Sequence, residues 1–170
     1  RGVEFVVVAP TIGEDVNDYR GKKVIGVPGV ALPFYPELKF GPPTLRTYRE
    51  VKDFQPDIAH FIHPTLVGTG GLMMAKRLNV PTLASFHLDI AGYLNIMGYG
   101  FLEPVIWWYT RANFNAADYT LAPSRLIQRE MLDHGVRNVG LWRRGVDAEQ
   151  FNPARARADM RWRLSDGHPD

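Results

Sequence analysis

Asp57-Ile58-Ala59-His60-Phe61-Ile62, the run from Leu66 to Leu78, and Pro81-Thr82-Leu83-Ala84-Ser85-Phe86-His87 together decide the fold. The two outer runs are short, apolar and bounded by turn residues, as strands are. The middle run has helical spacing and stops before Asn79 and Pro81, residues that end helices. Strand, helix and strand in that order form one unit of a parallel sheet. The alternation continues in both directions, with candidate strands at Val3 to Ala9 and Val24 to Val27 upstream, and at Asp118 to Ala122 and Asn138 to Trp142 downstream. Several of these runs are too continuously apolar for a sheet with one wet face, so the expected fold is α/β with a Rossmann-like, doubly wound parallel sheet.

Thr44 to Phe54 spaces Leu45, Tyr48, Val51 and Phe54 along one apolar face and predicts an amphipathic helix. Arg125 to His134 predicts another, ending before Gly135 as a left-handed cap. Phe101 to Ala117 is long and apolar enough for a buried helix. A buried helix is the ordinary reading of the whole aromatic stretch from Asp89 to Ala117; the alternative is that Tyr93 to Phe101, interrupted by Gly98 and Gly100, forms an irregular aromatic lip able to admit a lipid headgroup or rest at a bilayer surface. Gly29 to Pro43, with four prolines, reads as a long extended loop.

Composition excludes more than it assigns. The 170 residues are the size of one domain, and the absence of cysteine excludes disulfide and thiolate chemistry. That absence fits a reducing compartment such as the cytoplasm. No run reaches the roughly 20 apolar residues of a spanning helix. The net charge is +2 and the pI about 9.0, a mild basic bias that does not signal nucleic acid. Most of it lies late, in Arg137, Arg143, Arg144, Arg155, Arg157, Arg161 and Arg163, interrupted by Asp147, Glu149 and Asp159.

Open parallel sheets bind ligands beyond the carboxyl ends of their strands, which singles out His63, His87 and Ser124. His87 ends its strand with an imidazole that can donate or accept a hydrogen bond near neutral pH. His63 leads into Gly68-Thr69-Gly70-Gly71, where a helix start could hold an anion or where small residues could let the helix pack close to the sheet. Ser124 suits a helix cap. Arg143, Arg144, Gly145 and Asp147 follow the last strand; the paired guanidinium groups suit a phosphate or sulfonate, or simply a solvated linker, and Gly145 permits positive φ.

Five segments carry a family resemblance: Pro56 to His60, Ser85-Phe86-His87, Ala117 to Ser124, Leu141 to Asp147 closed by Phe151-Asn152-Pro153, and Met160 to Ser165. Together they resemble the N-terminal half of family 4 glycosyltransferases, especially the sulfoquinovosyltransferase type that acts on diacylglycerol. The resemblance implies the GT-B fold, in which two Rossmann-like domains face each other across a cleft. The first mostly holds the acceptor and the second the nucleotide-sugar. The implied reaction retains anomeric configuration, uses no cofactor and needs no metal bound to the protein. His87 takes the catalytic position, while His63, Gly70, Asp89 and Tyr93 fall on the acceptor side. Ser124, Arg143, Arg144, Gly145 and Asp147 line the cleft or the crossing between domains. Related sequences commonly carry threonine after the histidine, whereas Leu88-Asp89 follows here.

On this reading residues 1–147 form an acceptor-side domain lacking its first strand, and 148–170 lead towards a donor-binding domain outside the chain. The sheet should then show an exposed edge or gap. The expected partners are a nucleotide-sugar, held through the other domain, and a lipid or related hydroxyl acceptor, with peripheral contact at the inner face of the cell membrane. Mannosyl or glucosyl transfer, a two-domain epimerase and a non-catalytic binding module are the competing readings. A nicotinamide-binding domain would require a glycine fingerprint and an acidic ribose ligand, and neither is present.

Overall fold

The computed structural model describes residues 2–10, 18–19, 21–32, 35–64, 67–142, 145–155 and 158–164. Its elements, in order, are β1 (Val7–Pro10), β2 (Asp18–Tyr19), β3 (Lys22–Val27), β4 (Val30–Leu32), β5 (Tyr35–Phe40), α1 (Leu45–Phe54), β6 (Ala59–Ile62), α2 (Val67–Arg77), β7 (Thr82–Ser85), α3 (Ile90–Ile96), α4 (Glu103–Ala116), β8 (Tyr119–Ala122), α5 (Arg125–Asp133), β9 (Val139–Leu141) and α6 (Ala158–Leu164). The fold is α/β, as expected. Strands β6, β7, β8 and β9 lie side by side in that order, all parallel. A second sheet pairs β1 with β3 in parallel and β3 with β2 antiparallel. Among the described residues the two sheets are not hydrogen-bonded to each other, so β1 and β6 are both edge strands.

The strand order explains the layering. Sequential parallel strands joined by crossovers of one hand place every crossover on the same face. Accordingly, α2 packs on β6 and β7, α4 on β8, and α5 on β8 and β9. Side chains alternate along a strand, so Ala84 and Ala122 enter this helix-covered face. There Leu72, Phe86, Ala91, Trp107, Phe114, Met131 and Val136 complete the core. The opposite face carries His60, Ile62, Ser85 and Tyr119, and Ile62 is 70% exposed.

Several elements differ from the sequence reading. Gly29 to Pro43 is not a loop, since β4 and β5 pair antiparallel from Val30↔Phe40 to Leu32↔Tyr35. A two-stranded ribbon consists only of edges, and an edge tolerates the missing N–H of Pro36. The buried residue of α1 is Thr47, while Leu45 is 77% exposed. Thr47 and Thr44 form a reciprocal capping box that the apolar spacing did not register. Before Gly98, which has φ +84, the presumed aromatic lip contains the regular helix α3. Asp89 caps that helix by accepting a hydrogen bond from the Gly92 N–H at 2.9 Å. Val3 to Phe5 precede β1 rather than belong to it. At α5 the reading holds at both ends: Ser124 Oγ accepts from Ile127 N at 3.2 Å, and Gly135 has φ +81.

Candidate functional site

Residues i and i+2 of a strand share a face, and in parallel pairing the face is common to register partners. His60 pairs with Leu83 and Ile62 with Ser85, so His60 and Ser85 are diagonal neighbours on the open face. His87 follows Ser85 by two residues, and Trp142 follows Gly140, the register partner of Leu121, which itself pairs with Ser85. The sheet thus brings His60, Ser85, His87 and Trp142 together near the carboxyl ends of β6, β7 and β9.

Their contacts are direct. Ser85 Oγ lies 2.8 Å from His60 Nε2 and 2.8 Å from His87 Nε2. The Trp142 ring stands edge-on to both imidazoles, with centroids 5.4 Å from His60 and 5.2 Å from His87. Ser85 is fully buried beneath this roof. Partial burial holds the pKa of His60 below its usual value, which favours the neutral ring.

His63 occupies the turn after β6 with φ 50, a left-handed conformation that costs a residue with a Cβ about 1–3 kcal/mol. Its ring meets Phe86 at 5.2 Å and Phe114 at 5.8 Å, edge to face. The backbone N–H groups of His87 and Leu88 point at its Nδ1 from 3.4 Å, so that nitrogen is an acceptor. Burial, and secondarily the nearby His87, lowers the His63 pKa to about 4. His63 is therefore a neutral ring at physiological pH. It ties the turn after β6 to the segment leaving β7.

The other predicted positions divide. At Gly70 a Cβ would overlap the Pro43 ring, and one at Gly71 would meet Phe61 Cε1 at 2.9 Å. The glycines let α2 approach β6 and the segment before α1. Asp89 serves as the α3 cap described above, and Tyr93, on α3, is 48% exposed. Ser124 caps α5. Arg143 and Arg144 lie outside the described residues. Gly145 does not use the positive φ that a glycine permits there. Asp147 instead shapes the turn, its Oδ1 accepting from Glu149 N at 3.0 Å and Gln150 N at 2.9 Å.

Sequence reasoning treated His60 and Ser85 only as motif markers. The available signal was a histidine and a serine in adjacent strands at positions of matching parity. Among the described residues no three His, Asp or Glu side chains converge as metal ligands. A cleft of about 390 Å³ opens elsewhere, lined by residues of α4 and the end of α5, including Trp107, Trp108, Arg111 and His134. It shares no residue with the histidine group. No described helix is long and apolar enough to cross a membrane.

Comparison with known proteins fits this geometry. The chain is 36% identical over 173 residues to a GDP-mannose-dependent alpha-mannosyltransferase of Mycobacterium tuberculosis, covering 99% of this chain and 46% of that protein. It is 34% identical to a sulfoquinovosyl transferase of Arabidopsis thaliana, covering 99% of this chain and 34% of that protein. An alpha-monoglucosyldiacylglycerol synthase of Streptococcus pneumoniae is 23% identical over 78% of this chain and 31% of its own length. The chain thus spans less than half the length of these relatives. Residues 1–150 match the profile of Glycosyltransferase Family 4, and the chain belongs to that family.

Proposed function

We propose that this chain is the acceptor-side part of a retaining glycosyltransferase that moves a sugar from a nucleotide-sugar to a hydroxyl acceptor. The observation that carries the proposal is the placement of His87, at the carboxyl end of β7 against Ser85 and Trp142, in a chain of this family. An imidazole there can orient a hydroxyl by hydrogen bonding. Fixed dipoles and cations of a partner domain would stabilise the departing diphosphate. On this reading residues 1–147 form the acceptor domain and 148–170 lead to the donor domain. Supporting it, the chain spans less than half of its relatives, and β1 and β6 present edges that a further parallel strand could join.

The donor is a nucleotide-activated hexose, with mannose and sulfoquinovose the first two to test, since relatives named for each are similarly identical. A lipid acceptor is favoured by one surface: Ile96 is 87%, Phe101 75% and Trp108 60% exposed around α3 and α4. Aliphatic and aromatic side chains of this kind suit an interface lying on a membrane's inner face.

The test uses the full-length polypeptide with labelled GDP-mannose or nucleotide-activated sulfoquinovose and diacylglycerol or phospholipid vesicles. His87→Ala should reduce turnover by about 10²- to 10⁴-fold while leaving nucleotide affinity unchanged. Unchanged turnover would remove His87 from the site, and no transfer from any nucleotide-sugar would overturn the function.

A further inference from the structure

Ser85 has one hydroxyl proton and two imidazole nitrogens within hydrogen-bond distance of its oxygen, at 2.8 Å each. The hydroxyl can donate to only one of them. The other contact is a hydrogen bond only if that imidazole nitrogen carries the proton and donates to Oγ. Oγ could instead accept from both rings, but its own buried proton would then lack an acceptor, since the two imidazoles are the only partners of Ser85 Oγ among the described residues. The two rings therefore present unlike Nε2 atoms, one protonated and one bearing a lone pair. Nothing in the family assignment above gives His60 or Ser85 a part in the site.

We infer that His60 and Ser85 are positioning residues that fix the tautomer of His87 through a directed chain from His87 Nε2–H to Ser85 Oγ and from Ser85 Oγ–H to His60 Nε2. Three observations set this arrangement and its direction. Ser85 is fully buried, so water does not replace either partner. Trp142 packs T-shaped against both imidazoles on the same side of the sheet. His60 is the partly desolvated ring whose charged form burial disfavours, which suits it to be the terminal acceptor.

In this arrangement the neutral His87 ring holds its lone pair on Nδ1. A proton gained there leaves the Nε2–H donor in place and requires no rearrangement of Ser85. For the transferase reading, the ring would meet a sugar or acceptor hydroxyl in one orientation with one pattern of donor and acceptor. That consequence rests on the function proposed above; the hydrogen-bond chain does not.

The deciding experiment is the two-bond ¹H–¹⁵N correlation spectrum of the imidazoles at about pH 8, where unperturbed histidines are neutral. It is recorded on the full-length polypeptide with ¹⁵N histidine. His60 should be in the Nδ1–H form, the tautomer that an imidazole in water disfavours, and His87 in the Nε2–H form. Ser85→Ala should return His60 to predominantly Nε2–H. Should that variant not fold, Ser85→Cys, a near-isostere with a weak donor, should produce a loss of the Nδ1–H form in the same direction. Like tautomers on His60 and His87 in the unsubstituted protein overturn the inference, as does a His60 signal unmoved by loss of the hydroxyl. The spectrum requires no donor or acceptor, so failed transfer would count against the function and leave the hydrogen-bond chain to be decided separately.

Discussion

Gly70→Ala should destabilise the chain although alanine is the better helix former. Gly70 lies within α2, where alanine gains up to about 1 kcal/mol of intrinsic propensity. Against that gain, the new methyl group would overlap Cδ of Pro43 and stand 3.0 Å from its Cγ. Comfortable carbon–carbon contact begins near 3.5 Å, so ring and helix must separate by on the order of 1 Å. A proline ring cannot rotate out of the way, and overpacking of this kind costs about 1–3 kcal/mol. Gly68→Ala supplies the comparison. It shares the helix, and its methyl group would stand 3.2 Å from Pro64 Cβ, a contact relieved by a much smaller shift.

The difference between the two variants largely cancels the propensity gain. Gly70→Ala should unfold with Gly68→Ala as the more stable by about 1–3 kcal/mol. At about 2–4 °C per kcal/mol for a chain of this length, the melting temperatures should differ by about 2–12 °C. Denaturant unfolding followed by circular dichroism gives the same difference at constant temperature. Adding Pro43→Ala removes the ring, so the double variant should recover most of the loss in a double-mutant cycle. If Gly70→Ala is as stable as Gly68→Ala, or if Pro43→Ala does not rescue it, the packing explanation of this glycine is refuted.

His63 makes stability depend on acid. Its folded pKa of about 4 lies below the ordinary histidine value of 6.5, so the unfolded chain binds more protons than the folded chain between those values. Stability should be unaffected by this group above pH 6.5 and fall from there to about pH 4, by on the order of 3 kcal/mol in total. His63→Asn, which tolerates the left-handed backbone, should flatten that part of the urea-unfolding profile; an unchanged slope would remove His63 as its source. Asp118 acts at lower pH. Its Oδ2 accepts hydrogen bonds from Thr82 N at 2.8 Å and Thr82 Oγ1 at 2.7 Å, and these lower its pKa from 3.8. The contribution is present above about pH 4 and is lost as pH falls through the lowered value. Asp118→Asn should cost roughly 1 kcal/mol at pH 7 and less at pH 3 in the same assay; an equal cost at both pH values would rule out the carboxylate charge as the cause.

The parallel strands were legible because their residues obey local rules. Thr82-Leu83-Ala84-Ser85 and Tyr119-Thr120-Leu121-Ala122 are short β-rich runs between turn residues, and Ser124 and Gly135 mark the ends of α5 by their own chemistry. What escaped depended on distant partners or on side chains outside the periodicity. The β4–β5 ribbon stayed hidden behind its prolines, and α3 depends on the Asp89 cap and the burial of Ala91 more than on periodicity. For the site, strand-end position identified His63 and His87. The placement of His60 beside Ser85 follows from register between β6 and β7, and no single run of sequence states a register. The close packing of the glycine cluster depends on Pro43 and Phe61, partners that lie outside it in the sequence.

Trp142 has a use beyond packing. The indole touching both His60 and His87 is the residue immediately after β9, where the chain leaves the parallel sheet. Imidazolium ions quench indole emission more strongly than neutral rings do, so the protein carries a built-in optical gauge of the charge on this histidine pair. Trp107, stacked on His134 at 3.9 Å, would respond to a different imidazole and can be removed from the signal by substitution. Because the same indole also anchors the start of the departing segment, a displacement of that segment should register as a change in light emitted beside the histidines.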